Sequence, residues 1–365
     1  MNGTWRLSWH GVRTVAALEL RQRVRSTRWI VALVVWFVVV GAITALTTGA
    51  LGTLTGQDTS PLHRGPLLFF VVTFLVLGLG LLVTPTLSST AVNGDRAAGT
   101  LATVQVTLLT PAEIATGKLL GAFAAATAFL VASLPFYGLA MAMGGTRVLT
   151  LVSVVVVTAV ILASVCGMGI GFSALTARTA GSTVLTFLGV SALAVFTLVF
   201  FGLTLPANTS QEQVRVWGVS PSSASSALAS DATTSVTSPT CEWRVETRPV
   251  THTERTWWLL AANPFVVVSD ASAVPQQDLR TVTSPFAAIR EAIRTARAGA
   301  TGVSNECWGP TGQAALPTEG PRPSTVPVWP WGLGFSVLLG AAGYVTAVRR
   351  LRIPQRTLPR GVRVA

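Results

Sequence analysis

Charge is the scarcest ingredient of this chain: Asp, Glu, Lys and Arg make up 11% of its 365 residues, against about 25% in an ordinary soluble domain. Histidine is rarer still. His10, His63 and His252 are scattered along the sequence, so no zinc or haem site assembles from them. No G-x-x-x-x-G-K-[ST] run occurs, because Gly117-Lys118 is followed by Leu119 and lacks the preceding glycine spacing. The chain therefore has no phosphate loop of its own for ATP. No catalytic, cofactor-binding or metal-binding set is expected.

Long apolar runs take the place of charge, and mean hydropathy is +0.59. Six runs read as transmembrane helices: Trp29–Ala50, Leu67–Leu87, Ile114–Met143, Val148–Thr176, Ala180–Leu205 and Trp329–Val348. Each is long enough for a hydrocarbon core of about 30 Å at about 1.5 Å per residue, and each must be helical to pair its own backbone there. The third is over-long and holds Pro135, which predicts a kink or break. Leu260–Val268 is apolar but too short to cross, and Asn263-Pro264 marks it as an interfacial or re-entrant piece. The first run does not read as a signal peptide, since its charged leader is long and no small-residue cleavage site follows it.

These runs are also nearly free of Asp, Glu, Lys and Arg. An ion-coupled carrier needs such groups near the midplane, so energy would have to come from another polypeptide. Gly171-Phe172-Ser173 faintly resembles an intramembrane serine-protease site, yet no run contains a histidine to serve as base. An intramembrane enzyme is disfavoured on that ground.

Arginine sets the orientation. Six precede the first run (Arg6, Arg13, Arg21, Arg23, Arg25, Arg28) and six follow the last (Arg349, Arg350, Arg352, Arg356, Arg360, Arg363). With Arg96, Lys118 and Arg178, one side collects fifteen basic residues against two, Arg64 and Arg147, in the short loops opposite. Both termini are then cytoplasmic. The net charge of +12 is mostly a topology signal, with no nucleic acid as partner.

The expected fold is all-α and integral to the cell membrane, as a multi-pass protein. Residues 1–28 form a cytoplasmic or interfacial helix, 29–205 carry helices one to five with a cytoplasmic loop at 92–113, and 206–328 form a large extracytoplasmic segment. Residues 329–348 are the sixth helix and 349–365 a basic cytoplasmic tail. The outer segment holds nine Arg and ten Asp or Glu, a near-neutral, solvated balance. Its Ser/Thr-rich stretch Ser220–Thr240 reads as flexible. In Ser284–Ala300, Phe286, Ile289 and Ile293 share one helical face while Arg290, Arg294 and Arg297 fall on another. That helix either lies on the outer membrane surface or packs on the rest of the segment. Cys241 and Cys307 both lie where oxidation is permitted; a disulfide and two free thiols are both open, and Cys166 is core packing.

Two cytoplasmic stretches carry pattern. Trp5, Trp9, Val12, Ala16 and Leu20 recur at helical spacing with Arg6 and Arg13 on other faces, which suits an interfacial helix. Glu19 and Arg23 are placed for an i,i+4 pair. Thr110, Pro111 and Glu113 form a helix-start signal, a capping threonine with proline first and glutamate third. Lys118 can extend back toward the headgroups.

The run Asp95-Arg96-Ala97-Ala98-Gly99-Thr100-Leu101, followed by Thr107-Leu108-Leu109-Thr110-Pro111-Ala112-Glu113-Ile114 and Gly117-Lys118-Leu119-Leu120, resembles the cytoplasmic loop of ABC-2-type (exporter-like) ABC transporter permeases. Leu18-Glu19-Leu20-Arg21 with Arg25 and Trp29 is similar to that family's elbow helix. Leu134-Pro135 with Gly144-Gly145, Gly171-Phe172-Ser173-Ala174-Leu175 with Arg178, and Asn263-Pro264-Phe265 follow in the family's order, as does the arginine-rich end after Leu351. Where the family loop usually carries a second acid, this chain has Ala97.

The resemblance implies a transport subunit, not an enzyme. Two permeases, identical or not, would pair and form the path between them, lined by spans one, two and five, and the direction the resemblance implies is export. Two separate ATPase subunits holding ATP and Mg would dock beneath them. Contact with the ATPase would fall at Asp95, Arg96, Gly99, Thr100 and Glu113, with Glu19 and Arg178 nearby. The alternative is a membrane structural or assembly subunit with no transport path. The cargo is not legible.

Overall fold

The computed structural model describes residues 4–54, 61–101, 109–220, 241–272, 284–300, 302–309, 312–313 and 326–352. They belong to two units, one made of Met1–Thr197, Ala261–Arg290 and Val328–Ala365, the other of Leu198–Leu260 and Glu291–Pro327.

Helices build the first unit. In chain order these are α1 (Trp9–Val24), α2 (Thr27–Leu54), α3 (Pro61–Ser88), the short α4 (Asn93–Ala97), α5 (Pro111–Ala132), α6 (Leu134–Ala142), α7 (Val148–Leu175) and α8 (Thr179–Ser191). A π turn, Ala192–Phe196, joins α8 to α9 (Thr197–Thr204). Later come α10 (Trp257–Ala261), α11 (Pro264–Ala271), α12 (Pro285–Ala298) and α13 (Trp329–Arg350). Of these helices, α9 from Leu198, α10 up to Leu260 and α12 from Glu291 are counted in the second unit. Among the described residues, six stretches are long and apolar enough to cross a membrane: Thr27–Ala50, Arg64–Ala97, Pro111–Ala142, Val148–Leu175, Thr179–Thr204 and Trp329–Arg350. They coincide with the six expected runs, with ends shifted by up to three residues, except that the second, expected to end at Leu87, continues to Ala97. The chain is thus suited to be a multi-pass membrane protein.

The break expected near Pro135 is present, with Ser133 separating α5 from α6. The interruption is held by side chains, since Trp36 Nε1 donates to Ser133 Oγ at 2.9 Å and that hydroxyl donates to Phe129 O at 3.0 Å. Around it lies the main core, including the fully buried Val40, Leu68, Phe69, Val72, Leu77 and Tyr137.

Glycine brings two of the long helices into backbone contact. Gly167 and Gly171 of α7 meet Gly340 and Gly343 of α13 so tightly that a Cβ on Gly167 would lie 2.5 Å from Gly340 O, and one on Gly171 2.5 Å from Gly343 Cα. The pairing of Ser164 with Gly340 and Gly171 with Gly343 has both numbers rising together, so the two helices run parallel. Small residues allow this approach, and van der Waals contact between the backbones rewards it.

Ala261–Arg290 packs with the helices, so the long stretch between the fifth and sixth spans is not one body. The apolar piece around Asn263-Pro264 forms α10 and α11, both too short to cross a membrane. Asn263 is fully buried and accepts from Phe265 N at 2.9 Å. Its Nδ2 donates to Ala194 O at 2.9 Å and to Thr197 Oγ1 at 3.0 Å, which satisfies a carbonyl of the π turn. Phe265 stacks on Phe74, and Phe286 of α12 packs on Phe69 and Phe70. Arg290 does not stay on a polar face with Arg294 and Arg297. It is buried and donates to Ser272 O and, at 3.0 Å, to Ser272 Oγ. Asp270 accepts from the Val328 and Trp329 amides at 2.6 and 2.8 Å and thereby caps α13.

The second unit corrects the all-α expectation. β1 (Thr209–Val219), β2 (Cys241–Thr251) and β3 (Val303–Glu306) form a sheet of order β2-β1-β3. β1 pairs antiparallel with β2 from Thr209↔Thr251 to Val219↔Cys241, and parallel with β3. β4 (Trp308–Gly309) and β5 (Gly312–Gln313) make a small separate ladder. Val214, Val216 and Val250 supply the buried face. Arg248 forks between Glu246 and Glu306, and Arg215 lies 4.8 Å from the Trp243 ring centre. Cys241 and Cys307 are joined as a disulfide with Cα atoms 6.0 Å apart, while Cys166 is free and buried in α7. The stretch read as flexible, Ser220–Thr240, lies outside the described residues except for Ser220, which is buried.

Candidate functional site

At one end of the helical unit the ends of five spans converge with α1. The start of α5 is the centre of it. Thr110 caps that helix, accepting from Glu113 N at 3.2 Å, while Glu113 Oε2 accepts from Thr110 N at 2.7 Å. The other carboxylate oxygen accepts from Ser8 N at 2.8 Å, and Ser8 is itself the capping residue of α1. One buried carboxylate therefore closes the starts of two helices, where helix dipoles favour negative charge. Thr110 Oγ1 donates to Arg6 O at 2.7 Å and Ala112 N to Thr4 O at 3.3 Å, which fastens the segment before α1 to the same corner.

From that corner α1 and α5 run side by side and parallel. Gly11 faces Glu113, Gly117 faces Val15, and Gly121 faces Glu19. A Cβ on Gly117 would lie 2.5 Å from Val15 Cβ, and one on Gly121 2.7 Å from Glu19 Cβ. The buried face of α1 is Gly11, Val12 and Val15, rotated from the expected stripe; Trp5 and Trp9 are exposed. The stretch of α5 and α6 has 32 residues, whereas about 20 suffice for the hydrocarbon core. α1 docks along the first three turns of this over-long stretch.

Lys118 is the only lysine in a chain with 26 Lys and Arg. Instead of extending to the surface it is buried, with Nζ 2.6 Å from Glu19 Oε1 and in contact with Asp95 Oδ2. Glu19 also lies 3.7 Å from Arg23, the i,i+4 pair expected from spacing. Arg23 donates to Gly121 O and to Leu87 O, each at 3.1 Å. Two acids and two bases thus balance to zero while tying together α1, the end of α3, α4 and α5. A compensated cluster of this kind tolerates burial where a lone charge would not.

A second polar lock ties the corner between α3 and α4 to the end of α7 and the start of α8. Ser173 Oγ accepts from the Val92 and Asn93 amides at 3.0 and 3.1 Å and donates to Asn93 Oδ1 at 3.1 Å. Asn93 Nδ2 reaches Thr176 Oγ1 and Arg178 O at 3.3 and 3.4 Å. Ser182 Oγ donates to Ser89 O at 2.6 Å. The serine of Gly171-Phe172-Ser173 is therefore a helix-end fastener. Beneath these locks sits an apolar cluster that includes Val92, Ile114, Ile170, Val348 and Leu351, and Thr116 shares a 2.8 Å bond with the Tyr344 hydroxyl.

Of the residues expected at a partner contact, Glu19, Asp95 and Glu113 come together in this junction but face inward. Arg96 is half-buried, whereas Thr100 and Arg178 are exposed, Thr100 Oγ1 donating to Asp95 O at 3.3 Å. Gly99 has φ +73°, and a side chain there would meet nothing within 4 Å. Residues 102–108 of the loop lie outside the described residues. Lys118, Arg23 and Ser173 were missed as parts of this junction. The signal for Lys118 was its uniqueness among arginines, since a compact ammonium fits between two carboxylates where a planar fork does not. Among the described residues no group of three or more His, Cys, Asp or Glu could hold a metal.

No protein-family model matches the chain, and no curated protein matches it.

Proposed function

We propose that this chain is the transmembrane subunit of an ATP-driven transporter of the ABC-2 type, working as an exporter in the cell membrane with both termini cytoplasmic. The junction of α1, α4 and α5 carries the reading. A motor protein can do work on a membrane helix only through a rigid contact, and Lys118 ties α1 and the Asp95 turn to one span. Force on the turn at Gly99 and the exposed Thr100 then passes into α5 without first deforming the junction.

The ATPases would bind ATP and Mg; this chain would supply the receiving surface and, with a second permease, the path. The apolar side chains left exposed on α2 (Val31, Val34, Val38) and along α8 (Val184, Leu188) suit cover by that second permease and by lipid. Outward placement of the sheet-bearing stretch agrees with its disulfide.

The test is co-purification of an ATPase that contains a phosphate loop, followed by substitution at the turn. Gly99→Ala has room for its methyl but forces a left-handed backbone, at about 1 kcal/mol. It should leave folding intact and lower ATP-dependent transport several-fold. Absence of any such ATPase from the complex, with full function in Gly99 and Thr100 variants, overturns the reading.

A further inference from the structure

Between α2 and α3, near the junction, runs an open groove of about 590 Å³. Its lining is ordered from polar to apolar. At one end stand Arg28, Ser26, Thr86 and Thr90; further along come Val35, Val39, Leu79 and Val83. From Arg28 to Val39 the helix rises about 16 Å at 1.5 Å per residue, which is about half of a 30 Å hydrocarbon core, the depth of one leaflet.

The two arginines of the groove differ. Arg23 spends its guanidinium on Gly121 O, Leu87 O and Glu19. Arg28 is exposed and has no ion pair among the described residues. Trp29, next to Arg28, also lines the groove, and an amphipathic indole ring favours the level where headgroups meet chains.

We infer that the groove seats one anionic phospholipid, its phosphate on Arg28 with Ser26 and Thr90 beside it, and one acyl chain along Val35, Val39, Leu79 and Val83. Charge complementarity selects the headgroup, because the mouth offers a free cation. The one-leaflet length and the polar-to-apolar order select a lipid over a soluble phosphate. The inference rests on the six-span reading and not on the transport function, so either can fail alone.

The experiment reconstitutes the full chain in vesicles of equal phosphatidylglycerol and phosphatidylcholine, and counts retained lipids by native mass spectrometry after mild extraction. Wild type should retain phosphatidylglycerol in preference. Arg28→Gln should lower that preference about fivefold, since a basic residue near an anionic surface contributes about 1 kcal/mol. Arg25→Gln, an exposed arginine outside the groove lining, should not change it. Leu79→Trp, which fills the groove, should remove the retained lipid whatever its headgroup. Equal losses from Arg25→Gln and Arg28→Gln, unchanged retention in Leu79→Trp, or full competition by soluble glycerol phosphate would each overturn the assignment. So would a second copy cross-linking through Val39→Cys with lipid retention unaffected, which would place another permease in the groove.

Discussion

Lys118 Nζ lies 2.6 Å from Glu19 Oε1 across 99 residues of sequence, and the same ammonium contacts Asp95. Removing the lysine leaves Glu19 facing Asp95 with only Arg23 to compensate. Loss of one partner from a buried ion pair costs about 3–5 kcal/mol; the lower end applies here because Asp95 can turn to solvent. Lys118→Met should therefore destabilise the protein by about 3 kcal/mol and loosen α1 from α5. Adding Glu19→Gln and Asp95→Asn should restore most of that stability. Lys118→Arg should not rescue it, since the longer planar group does not fit the same point. Thermal melts of the four proteins in detergent check the series, and a triple variant no better than Lys118→Met sinks the account.

Glu113 bonds to the capping residues of both α1 and α5. Glutamine at this position keeps one accepting oxygen but points an N–H at a backbone N–H. Glu113→Gln should fray both starts together, at about 1 kcal/mol per helix, the usual worth of a cap. Hydrogen exchange should rise at residues 9–12 and 112–114 alike. Loosening of α5 alone would mean that the carboxylate does not serve α1.

The glycines of α5 admit a test by volume. Gly117 has Val15 against it, whereas Gly138 in α6 has nothing within 4 Å of a built Cβ. Gly117→Leu should lower stability by about 1–3 kcal/mol or more through forced separation of α1, as overpacking does, and Gly138→Ala should be close to neutral. Melting the two variants side by side separates a packing effect from a general effect of losing glycine.

How far the sequence foretold this arrangement depends on the range of each interaction. Long apolar runs, the proline break before Leu134 and the Thr110–Glu113 cap are local signals, and each was readable. So was the Glu19–Arg23 pair, four residues apart on one helix. The partners of Lys118 were not readable, because Glu19 is 99 residues away and Asp95 belongs to a different element. The direction in which α1 turns its apolar face was misjudged for a related reason. Tryptophans dominate its pattern, but the glycines of α5 accept Val15 and leave Trp9 outside. The sheet was overlooked although Val214 and Val216 alternate inward at a strand's period of two. Its neighbours are so rich in polar residues that the stretch read as a solvated segment.

Acid strength gives the sheet a pH dependence of its own. His252 bridges Glu254, at 2.7 Å from Nδ1, and Glu212, at 2.9 Å from Nε2, and Ser210 Oγ lies 3.0 Å from Nε2. The bond to Glu254 first, and that to Glu212 next, raise its pKa above the ordinary 6.5. A base whose folded pKa is raised contributes its stabilisation fully below about 6.5, the unfolded value, and loses it as pH climbs through the folded one. In the other direction, Glu306 is held below 4.5 by Arg248, so its contribution fades only under stronger acid. Glu254 is lowered as well: burial pushes it up, but its backbone bond and His252 outweigh that. The β1–β2 ladder should be firmest between these limits, near pH 5.5. Protection factors for its amides, corrected for intrinsic exchange, should fall between pH 5.5 and 8.5 at the Thr209–Thr251 end. His252→Gln should flatten that slope while leaving the Glu306 end unchanged. A slope of equal size in the variant would assign the pH dependence to some other group.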